Sequence, residues 1–306
     1  MQTAKPSLAR LFLNRPSTAE ALHQKHLQAL SQARQGRPFL FDDEGLRMLY
    51  LNPQCMQSAL LIDQPERLLC AYSRAMMAFL LACPAPRHII LIGLGGGSLV
   101  KYCYHRLPDC RITAIEIDAD VIALREQCQI PPDDERLQII HADGRAWLAA
   151  NTDQADVILL DAYDQQGLVA ELNTAEFYAS CHRNLHADGV LVANVWGKPS
   201  TLAPMLARLH TALARTVHFF KSADSYNLLV FATPTPYISA PSAALCAAHP
   251  TLGLAELAQD WPLPLDNYEA ASLQRLRSIL VADENVPNDY AAWKKQILKK
   301  LADVPL

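Results

Sequence analysis

Short apolar runs alternate with amphipathic stretches of helical periodicity through the middle of the chain. The clearest candidates for buried strands are the runs of four to six residues at 88–92, 112–115, 137–141, 157–160 and 190–195. An alternation of this kind predicts a parallel α/β sheet that is covered by helices on both faces. Two later runs, 216–220 and 227–231, predict a final antiparallel pair and bring the expected sheet to seven strands.

The part of the chain before this alternation has a different pattern. A capping box at 17–20 predicts the start of a helix. Two apolar runs, 39–41 and 46–51, flank an Asp-Asp-Glu-Gly turn and predict a β-hairpin, and a third strand is expected at 56–62. A helix over 66–82 is predicted to connect this small sheet to the large one.

A proline-rich stretch after residue 233 marks a boundary, and two helical patterns follow at 267–281 and 287–301. The predicted division of the chain is therefore an N-terminal helical extension (1–36), a small antiparallel β domain (37–64), a Rossmann-like domain (65–233), and a linker with a helical tail (234–306).

Composition narrows the classes of partner. Of the 306 residues, 51% are apolar, so a sizeable core is expected, and the net charge of −4 favours neither nucleic acid nor an anionic membrane. No apolar run approaches the roughly 18 residues that a membrane helix needs, and a signal peptide is not expected. The eight cysteines form no CxxC pair, so we expect no metal site, reduced thiols and a cytoplasmic location.

The run 88–92 opens the stretch with the clearest chemistry. It leads into a turn that contains four glycines, Gly93, Gly95, Gly96 and Gly97. A helix is expected from Ser98, and the next strand ends on Glu116, 19 residues after Gly97. Glycines allow a ligand to approach the backbone, and a carboxylate at the next strand end can accept both hydroxyls of a ribose. The pattern predicts a nucleoside site, and it leaves NAD or the adenosine of an S-adenosylmethionine-type ligand open.

Two further strand ends carry acids. Asp143 and Gly144 follow one strand, and Asp161 and Asp164 follow the next. Because ligands of open α/β sheets bind at the carboxyl ends of the strands, we expect these acids to line the same site. Asp143 could reach the amine of adenine, or it could cap a plain turn. Burial and a neighbouring acid would raise the pKa of Asp161, and such a pair can accept a proton from an amine or hold a cation.

The chain resembles the spermidine synthase family of polyamine aminopropyltransferases over about residues 39–233. The resemblance rests on the hairpin leading to Met56-Gln57-Ser58, and on IGLGGGS, AIEID, HADGRAWL, VILLDAYD and LNTAEFY. It implies a class I methyltransferase-like Rossmann sheet behind a small β domain, and a homodimer or homotetramer. It also implies aminopropyl transfer from decarboxylated S-adenosylmethionine, a co-substrate, to a small amine such as putrescine.

The same resemblance implies roles for individual residues. On the donor side, Gln57 would contact the nucleoside, the turn from Gly93 to Gly97 would face the methionine-derived part, Glu116 would bind ribose, and Asp143 with Gly144 would bind adenine. On the acceptor side, Asp161 would deprotonate the attacking amine and Asp164 would help to hold it. Tyr72 stands where the family has a tyrosine in a Tyr-His-Glu segment.

The chain departs from the family at three places. Gly96 replaces an aspartate that holds the donor's ammonium end, Ser73 and Arg74 replace His-Glu, and Gln165 replaces a proline. An inward-pointing Arg74 would repel a dication. Three functions are therefore open: aminopropyl transfer to an amine, methyl transfer from S-adenosylmethionine, and nucleoside binding without turnover.

Overall fold

A computed structural model describes residues 18–164, 167–235, 238–262, 270–280 and 290–302. It contains the two sheets that the sequence predicts, a three-stranded antiparallel one and a seven-stranded one. Within the described residues, the helices include none that is both long and apolar enough to span a membrane.

The small sheet is built from local hairpins. It follows helix α1 (Thr18–Ala33) and consists of β1 (Phe39–Asp43), β2 (Leu46–Asn52) and β3 (Cys55–Leu61). Alternate side chains of these strands point into a core with Leu27 of α1, and the rings of Phe39 and Tyr50 stack with their centroids 5.6 Å apart.

The connection to the large sheet differs from the expected helix over 66–82. Helix α2 begins only at Ala71 and runs to Met76, and a 3₁₀ turn continues it from Met77 to Leu81. The guanidinium of Arg74, within α2, donates to the carbonyls of two residues that precede the helix, Leu68 (2.9 Å) and Leu69 (2.6 Å). In a helix these carbonyls would accept from backbone N–H groups. Here they accept from a side chain, so the segment before Ala71 is not helical.

The first half of the large sheet contains four strands, β4 (His88–Ile92), β5 (Arg111–Glu116), β6 (Leu137–His141) and β7 (Ala155–Leu160). They are connected through helices α3 (Ser98–Arg106), α4 (Ala119–Ile122) and α5 (Gly144–Ala150). Helix α4 is only four residues long. After β7 comes a pair of two-residue strands, β8 (Tyr163–Asp164) and β9 (Gly167–Leu168). The side chain of Asp164 lies outside what the structure describes.

The second half completes the sheet with β10 (Leu185–Val195), β11 (Thr216–Lys221) and β12 (Leu228–Thr233), and with helices α6 (Ala175–Arg183) and α7 (Pro199–Leu213). The strand order is β11-β12-β10-β7-β4-β5-β6. Strands β10, β7, β4, β5 and β6 are parallel, and β12 pairs antiparallel with β10 and β11. Apolar cores lie on both faces, so the predicted α/β class and seven-stranded sheet are confirmed.

The described part of the tail contains α8 (Ala243–Ala248), α9 (Leu254–Gln259), α10 (Ala270–Ile279) and α11 (Tyr290–Ala302). Leu276 of α10 is buried in the core beside α7. On α11, Ile297 joins the core of the small sheet, and Lys294 Nζ lies 2.7 Å from Asp43 and 3.0 Å from Glu44. Helices α1 and α11 thus cover an apolar face of the small sheet. The division of the chain into four segments and the expected oligomer stay predictions.

Candidate active site

A cavity of about 1270 Å³ lies at the carboxyl ends of β4, β5 and β7. The order of the sheet reverses direction at β4, with β5 on one side and β7 on the other, which is where open α/β sheets bind ligands. Residues of β2 and β3 close the cavity from the opposite side. Nine of the eleven predicted site residues line it: Gln57, Tyr72, Gly93, Gly95, Gly96, Glu116, Asp143, Gly144 and Asp161.

The two other predicted site residues stand differently. Gly97 is the residue before α3 and adopts φ 68°, and an added Cβ would press on the side chain of Ile130. Gly97 therefore shapes the turn from behind and is not part of the cavity wall. The side chain of Asp164 is not among those that the structure describes, so its expected place beside Asp161 stays a prediction.

Gly93 joins the strand ends that form the floor of the cavity. Its N–H donates to the carbonyl of Ile115 (2.8 Å), and the N–H of Asp161 donates to the carbonyl of Ile92 (2.9 Å). Gly93 adopts φ 96°, and an added Cβ would collide with the carbonyl oxygen of Asp161. Only glycine combines this conformation with so close an approach of two backbones.

Gly96 is packed against the small sheet. An added Cβ would collide with the hydroxyl of Ser58 on β3. A larger residue here requires Ser58 to move, and beside the backbone of the turn this part of the cavity wall presents the hydroxyl of Ser58.

Glu116 is a buried carboxylate held by backbone donors. Its Oε2 accepts from the N–H of Leu94 (2.8 Å) and its Oε1 from the N–H of Asp118 (2.9 Å). Each oxygen of an ionised carboxylate has a second lone pair. Two oxygens in fixed positions can therefore accept two neighbouring hydroxyls.

Asp143 caps α5, as the turn interpretation of the sequence expects. Its Oδ1 accepts from the N–H groups of Arg145 (2.8 Å) and Ala146 (3.2 Å). Its Oδ2 accepts no hydrogen bond from the described residues, so the cap leaves one oxygen for a ligand. An added Cβ on Gly144 would press on Ile92, which explains why a glycine follows Asp143.

Asp161 is the acid with the most perturbed environment in the cavity. Burial raises its pKa to about 6, and a hydrogen bond from Asn194 Nδ2 to Oδ1 (2.9 Å) opposes that rise. The side chain still lines the cavity, where a ligand can reach it. A carboxyl group with this pKa is ionised at neutral pH and takes up a proton more readily than an ordinary aspartate.

Among the residues that line the cavity, the sequence interpretation missed Glu171, Asn194, Trp196, Tyr226 and Asn227. Asn194 and Trp196 lie at the end of the predicted strand 190–195, so the strand-end rule could have found them. Tyr226 and Asn227 precede an antiparallel strand and carry no motif. Trp196 (43%) and Tyr226 (38%) are unusually exposed for large aromatic side chains.

The charges around the cavity favour a cation. The described wall contains five carboxylates, Glu116, Asp118, Asp143, Asp161 and Glu171, and a single basic side chain, Arg145. Arg74 is not part of this wall, because the carbonyls of Leu68 and Leu69 bind its guanidinium. In the described part of the chain, no cluster of three or more His, Cys, Asp or Glu side chains is arranged to hold a metal ion.

Fold and site together define a class of protein: a Rossmann-like, methyltransferase-type domain whose cavity at the strand ends is closed by an N-terminal β-hairpin. Within that class, the chain belongs to the spermine/spermidine synthase family. The family model described as "Spermine/spermidine synthase domain" matches residues 69–247.

Curated relatives agree with this membership. A polyamine aminopropyltransferase of Neisseria meningitidis serogroup B is 35% identical over 207 residues, which are 66% of this chain and 79% of the relative. One of Chromobacterium violaceum is 34% identical over 192 residues, 62% of this chain and 74% of the relative. The expected membership in a family of transferases is confirmed.

Solved structures of lower identity share the fold. A probable spermidine synthase from Corynebacterium glutamicum has a TM-score of 0.61 at 21% identity, with 82% of this chain and 94% of that chain covered. Human methyltransferase-like protein 13, in complex with SAH, has a TM-score of 0.50 at 21% identity, with 66% and 98% covered. The expected relation of the sheet to methyltransferases is confirmed.

Proposed function

We propose that the chain transfers an aminopropyl group from decarboxylated S-adenosylmethionine to an amine. The observation that carries the proposal is Asp161, a carboxylate with raised pKa in a cavity whose described walls are mostly acidic. The donor is a sulfonium cation and the acceptor is a protonated amine, so both substrates suit such walls. The names of the curated relatives support the same reaction.

The donor lies along β4 and β5 in this proposal. Glu116 accepts hydrogen bonds from both ribose hydroxyls, and the free oxygen of Asp143 accepts one from the adenine amine. Gln57 closes over the nucleoside from β3. The glycine turn faces the aminopropyl chain, and the backbone of Gly93 and Gly96 lines the cavity there.

The acceptor approaches from the side of Asp161. An amine attacks only as the neutral base, so a proton must leave before or during the attack. The nitrogen lone pair forms the new C–N bond at the carbon next to sulfur, and the C–S pair returns to sulfur, which leaves as the neutral thioether 5′-methylthioadenosine. Asp161 takes the proton from nitrogen. Positioning of the two substrates and this proton transfer supply the catalysis.

The acceptor's second cationic end lies near the cavity mouth. Glu171 contributes a carboxylate there, and Tyr72 and Trp196 contribute aromatic faces, whereas Lys221 Nζ already lies over the ring of Tyr226, 5.3 Å from its centroid. Aromatic faces attract alkylammonium groups. The binding of Arg74 to backbone carbonyls removes the repulsion that an inward arginine would exert on a diamine. A small diamine is the acceptor class that fits best.

Methyl transfer from S-adenosylmethionine is the second candidate, and Gly96 favours it. The contact of Gly96 with Ser58 leaves no carboxylate on the glycine turn to repel the carboxylate of the ordinary donor. The two reactions yield different nucleosides, 5′-methylthioadenosine from aminopropyl transfer and S-adenosylhomocysteine from methyl transfer.

The deciding experiment is mass spectrometry of products from each donor with a panel of mono- and diamines. We expect 5′-methylthioadenosine and an aminopropylated diamine. S-adenosylhomocysteine as the sole nucleoside product would contradict aminopropyl transfer and support methyl transfer instead. Donor binding by calorimetry with no product from any amine would support a binding protein without turnover. Asp161→Asn should lower turnover about 100-fold or more while donor affinity is retained.

A further inference from the structure

Two asparagines form a hydrogen-bonded chain behind Asp161. Asn227 Nδ2 donates to Asn194 Oδ1 (2.8 Å), and Asn194 Nδ2 donates to Asp161 Oδ1 (2.9 Å). Asn194 is 2% exposed, so its amide has little access to water that could replace either partner. The two asparagines come from β10 and from the residue before β12, 33 residues apart.

The chain has a direction because an amide has one accepting and one donating end. The oxygen of Asn194 is bonded to the N–H of Asn227, so its NH₂ group must face Asp161. The main chain of Asn227 is held in place, since its backbone carbonyl accepts from the N–H of Ser222 (2.8 Å). The pairing of β10 with β12 places Asn194 opposite Leu229, and this register keeps both amides in line.

We infer that Asn194 and Asn227 are positioning residues, whose linked amides hold one oxygen of the Asp161 carboxylate and leave the other for the acceptor amine. This inference rests on the proposed role of Asp161 as the base. Asp161 Oδ2 accepts no hydrogen bond from the described residues, and the side chain lines the cavity. A fixed Oδ1 therefore orients Oδ2, the oxygen to which no described residue donates.

The pair also acts on the protonation state of Asp161. An N–H donor stabilises the ionised carboxylate, and so it opposes the effect of burial. The carboxylates that share the cavity wall are Glu116, Asp118, Asp143 and Glu171, with Arg145 as the cation. The phenols Tyr72 and Tyr226 and the thiol of Cys55 complete the titratable groups of the described wall.

The test uses three variants of the full-length chain. Asn194→Leu removes the donor to Asp161 at similar volume. Asn227→Asp keeps the Asp161 side chain but places a carboxylate against Asn194 Oδ1, so the Asn194 amide turns round and presents its oxygen to Asp161. The added negative charge raises the pKa of Asp161 as well, so Asn194→Leu is the variant that isolates the loss of the amide donor. Asn227→Leu is the control, because the Asn194 amide then loses a partner but keeps its NH₂ group towards Asp161.

Two measurements are made on each variant. The first follows the Asp161 carboxyl carbon by ¹³C NMR against pH without substrates, with the signal assigned by its absence in Asp161→Asn. The second is the acidic limb of the pH profile of aminopropyl transfer. The ionisation of the amine affects every variant equally, so differences between profiles report on the enzyme. We expect the Asp161 titration midpoint and the acidic limb of the pH profile to move up by about one pH unit in Asn194→Leu and Asn227→Asp, and by less in Asn227→Leu.

The outcomes separate the two levels of the inference. Rates that fall at all pH values with an unmoved Asp161 titration would mean that the asparagines are merely structural, and the inference would be overturned. Full activity in Asp161→Asn would overturn the proposed base and the positioning role together. A shifted titration and a shifted acidic limb, with donor affinity unchanged, would support both.

Discussion

The two halves of the cavity, which we propose to bind the donor along β4 and β5 and the acceptor beside Asp161, are built in different ways. In the donor half, each carboxylate is held by backbone N–H groups: Glu116 by Leu94 and Asp118, and Asp143 by Arg145 and Ala146. In the acceptor half, Asp161 is held by a side chain, Asn194, which is held in turn by another side chain, Asn227. The donor half thus depends on the path of the backbone, and the acceptor half depends on the identity of particular side chains.

This difference has a consequence for specificity. A backbone scaffold keeps its geometry when surface side chains change, so a nucleoside site built on it is robust. An acceptor site built from side chains on separate strands can change with one substitution. The fold is shared by a probable spermidine synthase and by a methyltransferase-like protein, so one scaffold can carry different sites.

The largest effect is expected where the two halves meet, at Gly93. Gly93→Ala places a Cβ against the carbonyl oxygen of Asp161 and strains a residue with φ 96°. We expect a loss of about 4 kcal/mol or more in the free energy of unfolding, measured by urea denaturation, because two backbones must separate.

Gly95→Ala is the matched control for Gly93. Gly95 also has a positive φ, 52°, but an added Cβ there meets no atom within 4 Å. Its cost should be about 1 kcal/mol, which is the strain alone. Equal losses in the two variants would show that backbone contact between the halves is not what requires glycine.

The next effect separates the halves directly. Glu116→Gln keeps the shape of the side chain but replaces one accepting oxygen by a donor, which faces a backbone N–H. We expect donor affinity to fall about 30- to 100-fold by calorimetry, equivalent to about 2–3 kcal/mol for a buried hydrogen-bonding group left unsatisfied. The KM for the amine should hardly change.

Glu171→Gln serves as the comparison on the acceptor side. Its carboxylate lines the cavity near Asp161, so this variant should raise the KM for a diamine and leave donor affinity unchanged. An equal loss of donor affinity in both variants would contradict the division of the cavity into halves.

The same division explains how much could be predicted from sequence. The donor half follows rules that can be recognised from spacing along the chain: a glycine turn, an acid at the end of the next strand and an Asp-Gly cap. The large sheet could also be predicted from sequence, because buried parallel strands are near-continuous apolar runs. Asn194 and Asn227 could not be paired in this way, since their contact depends on how β12 returns beside β10. The direction of Arg74 was also hidden, because carbonyls five and six residues away bind it.

A smaller effect is expected at the cavity mouth. Trp196→Ala removes an aromatic side chain that is 43% exposed and is not one of the residues predicted to bind the donor. The KM for a diamine should rise about 5- to 30-fold, equivalent to about 1–2 kcal/mol for a cation–π contact, with donor affinity unchanged. Trp196→Phe should keep most of the affinity. A diamine KM that is the same in Trp196→Ala as in the parent protein would exclude the aromatic mouth from acceptor binding.

The smallest effect is on stability and follows from the pKa of Asp161. Burial raises this pKa to about 6, above that of the unfolded chain, so ionisation of Asp161 destabilises the fold. The penalty is absent at low pH, grows as the pH rises from about 4 to 6, and is constant above that. Asp161→Asn removes it, so its Tm should exceed that of the parent by a few degrees at pH 7.5, for about 1–2 kcal/mol, and the gain should vanish near pH 4.

Asp153→Asn provides a control of opposite sign. The hydrogen bond from Arg111 holds the pKa of Asp153 below its usual range, so its ionisation stabilises the fold above the unfolded pKa. This variant should therefore lose stability at pH 7.5 and approach the parent protein as the pH falls. A Tm gain in Asp161→Asn that is the same at pH 4 and pH 7.5 would mean that the substitution acts through packing, and that the acceptor half carries no cost for keeping a buried base ionised.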